Sequence, residues 1–293
     1  MALGVSTHYK SFASFFAVEI VLCGRDIVES RKWVLERSAI SNTMWAMAHF
    51  SIYVSCEIVE NQPIELDQET AHHLLRVLRI GQRDRINVFD GAGTVAPCTV
   101  EHNRKSAIAI PGKPKKVDAP RIKLHLLQGI TKGQAMDSIV RMATELGVWE
   151  IHPIACTFAA GGLRADKSPP RVLRWNAIAI GACRQSHNPF VPSIGAPTQL
   201  ENAVLNPNSL RLAAGLGGGA ISWVEFLRLH GRCLSEIAAD IYLAVGPEGD
   251  FSDDEWQFLR RNGFIEISLG PRVLTSETAA VALMGAVQLA IQT

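Results

Sequence analysis

Two stretches near the carboxyl end, IYLAVGPEGDF at 241–251 and ISLGPRVLTSET at 267–278, decide the predicted fold of this chain. Each starts with an apolar run typical of a buried strand and continues into a Gly-Pro turn. Open α/β sheets bind ligands beyond the carboxyl ends of their strands. Either loop alone is an ordinary turn. Two in succession predict one crevice, in which backbone groups and the side chains of Leu269 and Leu274 clasp a flat ligand.

The second stretch also predicts the start of a helix. Ser276 is the expected N-cap, and the carboxylate of Glu277 suits the positive end of the helix dipole. The chain contains no GKS or GKT sequence and no Gly-x-Gly-x-x-Gly after a predicted strand. A phosphate-binding P-loop and a classical dinucleotide site are therefore disfavoured.

Upstream of these loops, strand-like and helix-like segments alternate. Strands are predicted at 122–127, 148–154, 210–214, 241–245 and 265–269, and helices at 135–146, 170–186, 222–230, 253–262 and 277–291. Such alternation predicts a largely parallel sheet with helices on both faces, over residues 121–293.

The preceding part of the chain has a different pattern. Short strands at 51–54, 85–89, 94–100 and 106–110, with an Asp-Gly turn at 90–91, predict a compact β-barrel over 47–112. Residues 113–120 contain two prolines and three lysines, directly follow Pro111-Gly112, and are predicted to be a linker without regular structure. Residues 1–46 show no clear pattern and are predicted to be an extension outside the fold, either disordered or the product of a mis-assigned gene start.

Composition leaves the function open. Hydrophobic residues make up 47% of the 293, charged residues make up 19%, and the formal net charge is +1. This balance excludes a tail-driven nucleic-acid binder, and any RNA contact must come from local basic groups. No apolar run is long enough for a membrane span.

The cysteines and histidines do not predict a metal site. The six cysteines are scattered, with no CxxC pair, and suggest a reduced cytoplasmic protein with buried thiols. His72 and His73 are adjacent, so their side chains point in different directions on a helix or a strand.

Six motifs in order resemble the RsmE family of the SPOUT superfamily, over about residues 47–293. They are HHLLRVLR at 72–79 with Gly81, QGITKG at 128–133, ATELGV at 143–148, Gln185-Ser186, GPEG at 246–249, and LGPRVL at 269–274 with ETA at 277–279.

The resemblance implies a fold, a donor and a substrate. The fold is a PUA-like barrel followed by an α/β domain with a carboxy-terminal trefoil knot. The activity is methylation of N3 of a uridine in 16S ribosomal RNA of the small subunit. The methyl donor is S-adenosylmethionine (AdoMet), no metal is needed, and the protein is a cytoplasmic homodimer.

Site residues are carried over from the matching motifs. The AdoMet pocket would be lined by Gly246, Pro247, Glu248, Gly249, Leu269, Gly270, Pro271 and Leu274. RNA would be held by Arg76, Arg79, Lys132, Arg164, Arg184 and Arg272. Glu277 is the candidate base for the N3 proton, although a carboxylate at a helix start also fits that position without a catalytic role.

The chain departs from the family pattern at three places. Cys156-Thr157-Phe158 replaces a usual Glu-Arg-Ser, Arg184 replaces a glutamate before Gln-Ser, and Thr275 replaces an arginine. These changes remove charged groups from the expected active face, which Arg164, Lys167 and Arg184 could restore.

Two alternatives to the uridine-N3 enzyme therefore remain. One is a catalytically weakened protein that keeps the fold and binds RNA. The other is a SPOUT methyltransferase with another RNA target, such as a ribose 2′-hydroxyl. Turnover on small-subunit RNA and nucleoside analysis of the product separate the three.

Overall fold

The computed structural model describes residues 50–292 apart from 82–83, 104–105, 160–167, 231–233 and 235–237. These residues all belong to the structural unit that spans Trp45–Thr293. The predicted extension at 1–46 and the predicted RNA contact Arg164 lie outside the described residues.

The first sheet consists of six short strands. They are β1 (Ser51–Tyr53), β2 (Ile64–Glu65), β3 (Arg85–Phe89), β4 (Thr94–His102), β5 (Ala107–Pro111) and β6 (Lys115–Lys116). Their order is β1-β3-β4-β5-β2, with β6 paired to β4. Helix α1 (Gln68–His72) continues into a π-turn at His73–Val77. The described strands thus form an open path between β1 and β2, a half-barrel where the sequence predicted a compact β-barrel.

The predicted hairpin at Asp90-Gly91 is confirmed. The Asp90 side chain accepts hydrogen bonds from the backbone N–H groups of Ala92 and Thr94, both at 2.8 Å. Gly91 has φ +73°, a conformation that glycine adopts without strain. One detail of the following linker was predicted wrongly. Lys115 and Lys116 form β6, because their backbone pairs with Val95 and Thr94 of β4.

The second sheet contains β7 (Lys123–Gly129), β8 (Glu150–Ile154), β9 (Ser193–Ile194), β10 (Leu210–Ala214), β11 (Ile221–Ser222), β12 (Asp240–Val245) and β13 (Ile265–Ser268). Its order is β11-β13-β10-β12-β7-β8-β9, and every pairing is parallel. The helices are α2 (Ala135–Glu145), α3 (Ser168–Ser186), α4 (Trp223–His230), α5 (Asp253–Arg261) and α6 (Ser276–Gln292). The predicted parallel α/β domain is confirmed.

Both faces of this sheet are buried. On β12, Ile241 and Leu243 pack into one apolar cluster, while Tyr242 and Ala244 pack into another. Alternate residues of a strand point to opposite faces, so an unbroken apolar run is what a strand covered on both sides requires. The first cluster includes residues of α2 and α6, and the second includes Trp256 of α5.

The described cysteines are unpaired. Cys98, Cys156 and Cys183 are buried, as predicted, but Cys56 is exposed. Burial raises the pKa of the Cys98 thiol to about 12, which keeps it protonated at neutral pH. Among the described helices, none is both long and apolar enough to cross a bilayer.

Candidate cofactor pocket at the carboxyl ends of three strands

A cavity of about 460 Å³ lies where β10, β12 and β13 end. Because the three strands are parallel neighbours, their following loops meet at one edge of the sheet. The cavity is lined by Ala214, Gly215, Leu216, Val245, Gly246, Pro247, Glu248, Asp250, Leu269, Arg272, Val273, Leu274, Thr275, Ser276, Glu277 and Ala279. Its size falls within the range of small-molecule pockets.

The two loops singled out from the sequence lie side by side in this cavity. Of the eight residues predicted to bind the cofactor, five line it: Gly246, Pro247, Glu248, Leu269 and Leu274. Gly249, Gly270 and Pro271 do not. At Gly249 a Cβ atom would lie 2.8 Å from the Cβ of Phe158, so this glycine permits close packing of two loops rather than access to the cavity. The candidate base, Glu277, also lines the cavity.

A third wall of the cavity was not predicted from the sequence. It is the loop after β10, where Gly217 donates its backbone N–H to the Glu266 carboxylate at 2.9 Å. Glu266 is buried, and a Cβ on Gly215 would lie 2.4 Å from its side chain. The glycines of this loop, which looked unstructured, thus allow it to fold over a buried carboxylate. A glycine-rich segment at the end of a predicted parallel strand was the available signal.

Ser276 ties the two predicted loops together. Its hydroxyl donates to the Gly246 carbonyl at 2.6 Å and accepts from Nε2 of Gln128 at 2.8 Å. Both side chains are buried. The prediction that Ser276 caps α6 is therefore wrong. The hydroxyl of Thr275 does this instead by accepting from the backbone N–H of Thr278 at 3.3 Å.

Replacing Ser276 by alanine should therefore lower the free energy of unfolding more than the removal of an exposed hydroxyl does. The Gly246 carbonyl and the Gln128 amide would each lose a buried partner. We expect the free energy of unfolding to fall by about 1–3 kcal/mol, and cofactor affinity to weaken because Gly246 is released. Urea unfolding and calorimetric titration with AdoMet measure the two effects.

Thr278→Val is the matched control, because Thr278 is exposed and lies in the same helix, two residues after Ser276. We expect this variant to change the unfolding free energy by less than about 1 kcal/mol. Equal losses in the two variants would contradict the role assigned to Ser276.

Lys132 and Glu248 connect the loop after β7 to the cavity. The Lys132 backbone N–H donates to the Glu248 carboxylate at 2.8 Å. Glu248 is exposed, and its carboxylate holds this loop through that hydrogen bond. The Lys132 side chain is also exposed.

The other predicted RNA contacts fall in three places. Arg272 is exposed at the rim of the same cavity. Arg76 and Arg79, both exposed, line a separate open cavity of about 640 Å³ beside the end of β4. Arg184, near the end of α3, lines a cavity of about 430 Å³ that is also lined by Ser51 and Ile52 of β1.

Arg184 has a structural contact as well. Its positive charge helps to lower the pKa of Asp67, whose shift comes chiefly from the hydrogen bond with the Thr70 backbone N–H. Its Nε atom is buried, with no hydrogen-bond partner among the described residues. The arginine that replaces the family glutamate thus faces α1, and the structure does not bring it to the cofactor cavity.

Residues 156–158, where the chain departs from the family pattern, are held against α5 by hydrogen bonds. Thr157 donates its backbone N–H to the Glu255 carboxylate at 2.8 Å, and the same carboxylate accepts from the Ser252 backbone at 2.7 Å. Burial raises the pKa of the Cys156 thiol, so this cysteine is not a reactive thiolate. Phe158 packs on Gly249, and none of residues 156–158 has a charged side chain.

Comparison with known families agrees with this arrangement. A model described as "RNA methyltransferase domain" matches residues 118–288, more than half of the chain, and one described as "RNA methyltransferase PUA domain" matches residues 66–111. The chain therefore belongs to the RNA methyltransferase family.

Its curated relatives carry a more specific name. A protein from Buchnera aphidicola named Ribosomal RNA small subunit methyltransferase E is 29% identical over 240 residues, which cover 81% of this chain and 92% of that protein. A protein of the same name from Synechocystis is 27% identical and covers 82% and 77%. The resemblance to the RsmE family is confirmed.

Two solved methyltransferase structures are similar to this chain in fold and sequence. The Neisseria gonorrhoeae Ribosomal RNA small subunit methyltransferase E bound to S-adenosyl methionine is 26% identical, with a TM-score of 0.72 over 82% of this chain and 96% of that one. A putative methyltransferase from Legionella pneumophila in complex with SAM is 29% identical, with a TM-score of 0.71 over 81% and 96%.

Proposed function

We propose that this protein transfers a methyl group from AdoMet to N3 of a uridine in the 16S RNA of the small ribosomal subunit. The observation that carries the proposal is the cavity built by the loops after β10, β12 and β13 in a chain of the RNA methyltransferase family. The named function of the curated relatives supports the substrate.

The lining residues fit AdoMet. Leu269, Leu274 and Ala279 offer an apolar surface for a flat adenine. Gly215 and Gly246 keep the cavity wall free of side chains at these positions, and a Cβ on Gly246 would lie 2.9 Å from an oxygen of Asp250. The residues that would hold AdoMet are therefore the lining residues of the three loops. When bound, AdoMet supplies an electrophilic methyl group on sulfur.

The protein must also remove a proton and expose the base. N3 of uridine carries a proton that must leave when the methyl group arrives, and Glu277 is the carboxylate that we assign as its acceptor. Arg272, at the same rim, can balance the negative charge that develops on the uracil. Since N3 lies on the pairing edge, the uridine must be unpaired or flipped out of its helix.

We further propose a trefoil knot. After β13, on the far side of β10, the chain returns across β10 and β12 so that Ser276 at the start of α6 contacts Gly246 and Gln128. A return of this kind is what threading α6 through the preceding loops requires. The proposed domains are an RNA-binding domain at 47–112, to whose sheet Lys115 and Lys116 of the predicted linker at 113–120 add β6, and a methyltransferase domain at 121–293.

We also propose a cytoplasmic homodimer. Helix α6 is apolar from Ala279 to Val287, yet Ala282 is exposed, and Leu289 near its end is 70% exposed. Exposed apolar side chains on one helix are suited to contact with a second copy.

Methyl transfer to small-subunit RNA tests the proposed function. We expect labelled AdoMet to convert uridine to N3-methyluridine in isolated subunits or their RNA, with nucleoside analysis as the measurement. AdoMet and RNA binding without turnover would select the catalytically weakened protein. A methylated ribose in the digest would select the other RNA target.

A further inference from the structure

A polar cluster lies on the second sheet, apart from the cofactor cavity. It consists of His125 on β7, Glu150 and His152 on β8, and Asp240 on β12. The register places His125 beside Glu150 on one side and Tyr242 on the other. His125, Glu150 and Asp240 lie toward the amino ends of their strands and His152 lies in the middle of β8, whereas the cavity lies at the carboxyl ends. The cluster therefore has no part in the proposed methyl transfer.

The spacing of three of these side chains suits a metal ion. Nδ1 of His125 lies 3.2 Å from Oε2 of Glu150, and Nε2 of His152 lies 3.4 Å from the same oxygen. One ligand atom from each residue lies within 4.8 Å of the other two. A tetrahedral zinc ion with bonds of about 2.0–2.1 Å places its ligand atoms about 3.3–3.4 Å apart.

Asp240 holds His125 in the orientation that a metal ligand needs. Its Oδ1 lies 2.9 Å from Nε2 of His125, the nitrogen that faces away from Glu150. Its other oxygen accepts from the Asn206 side chain at 2.7 Å. The Tyr242 ring stacks on the His125 ring with a centroid separation of 4.4 Å. Metal-bound histidines commonly donate their second N–H to such a carboxylate, which sets the tautomer and orients the ring.

A purely structural ion network explains the cluster less completely. A protonated His125 between two carboxylates would satisfy both of its own nitrogens. It would leave the buried Nε2 of His152 with only its 3.4 Å ion-pair contact to Glu150 and no hydrogen bond among the described residues, which is costly. An ion shared by His125, Glu150 and His152 gives that nitrogen a ligand bond.

We propose that His125, Glu150 and His152 bind a divalent transition-metal ion, with zinc the best fit, and that water occupies its fourth position. Two imidazoles and one carboxylate form a ligand set that zinc uses in proteins. The side chain of Glu150 is 32% exposed, so the ion can enter from solvent. The bound ion links β7 to β8 at the edge opposite the cofactor loops and stabilises the folded state.

Titration of the metal-free, full-length protein with zinc and with cobalt tests the site. We expect one equivalent to bind with micromolar or tighter affinity, the visible absorption bands of tetrahedral cobalt to appear, and zinc to raise the Tm. Because these readouts do not involve RNA or AdoMet, their failure is distinguishable from failure of the proposed function.

Three variants assign the site to these residues. Glu150→Gln keeps the shape of the side chain and should raise the zinc Kd by at least about 100-fold, since loss of a supporting contact alone costs about 10–100-fold. Asp240→Asn, which alters only the residue that positions His125, should raise it by about 10–100-fold. His72→Gln removes an exposed histidine on α1 and should leave the Kd unchanged.

Circular dichroism and AdoMet binding of the metal-free proteins show that each variant is folded. No saturable zinc binding by the wild-type protein would overturn the proposal and leave the cluster as a network of ion pairs. Unchanged affinity in Glu150→Gln would overturn it as well, and so would loss of binding in His72→Gln.

Discussion

Substitution of Gly129 by alanine should weaken AdoMet binding by at least about 100-fold, a loss of roughly 2.7 kcal/mol. Gly129 ends β7 directly against the loop after β12. A Cβ at this position would lie 2.5 Å from both N and Cδ of Pro247 and 2.9 Å from the carbonyl carbon of Gly246. Backbone atoms cannot rotate away as a side chain can, so the Gly246-Pro247 loop must move out of the cavity wall. Calorimetric titration with AdoMet measures the effect.

The same displacement should lower the free energy of unfolding by about 1–3 kcal/mol, as overpacking does in well-packed cores. Gly181→Ala is the control, because the residue lies inside α3 and, its chain neighbours and the nearby backbone of α3 aside, no described heavy atom lies within 4 Å of the added Cβ. Alanine is favoured over glycine in a helix by about 1 kcal/mol. The control should therefore bind AdoMet normally and unfold at a slightly higher urea concentration than the wild-type protein. Normal AdoMet affinity in Gly129→Ala would mean that the cofactor does not depend on the loop after β12.

Replacement of Glu277 by glutamine should lower kcat by about 10²–10⁴-fold and leave the AdoMet Kd within about twofold. Glutamine keeps the shape of the side chain but cannot accept the N3 proton at neutral pH. Methyl transfer measured from pH 6 to 10 should show the variant gaining rate as hydroxide replaces the missing base. The KM for RNA should change little, because the loss lies in the chemical step.

A structural role for Glu277 predicts a different result. A carboxylate that only complements the dipole of α6 would contribute about 0.3–1 kcal/mol to stability and nothing to turnover. Glu225→Gln is the matched control, since Glu225 lies in the first turn of α4 and outside the cavity lining. If Glu277→Gln and Glu225→Gln showed the same kcat, Glu277 would not be the base.

The strand and helix pattern was readable from the sequence because it depends on neighbouring residues. The predicted strand at 210–214 matches β10, and the helix predicted at 135–146 ends one residue beyond α2. Apolar periodicity reports which side of an element is buried, and that information is local. The two-residue strands β2, β6, β9 and β11 were not predicted, since two residues contain no period to read.

Only part of the cofactor site could be predicted from the sequence. The Gly-Pro loops drew attention because their residue types are unusual at the ends of strands, and five of the eight residues proposed from them line one cavity. The loop after β10 was missed because glycine-rich segments are common in ordinary loops. Gly249 was placed in the pocket wall, yet a Cβ there would meet Phe158. Which side of a loop faces a cavity depends on the loop packed against it.

By itself, the sequence determined the alternation of strands and helices, the parallel sheet and the family to which the chain belongs. These follow from local periodicity and from ordered motifs. Only the tertiary structure decided that Ser276 bonds Gly246 and Gln128, and that His125, Glu150, His152 and Asp240 meet. The physical reason is that strand order brings together residues up to 148 positions apart, and no local pattern encodes that order.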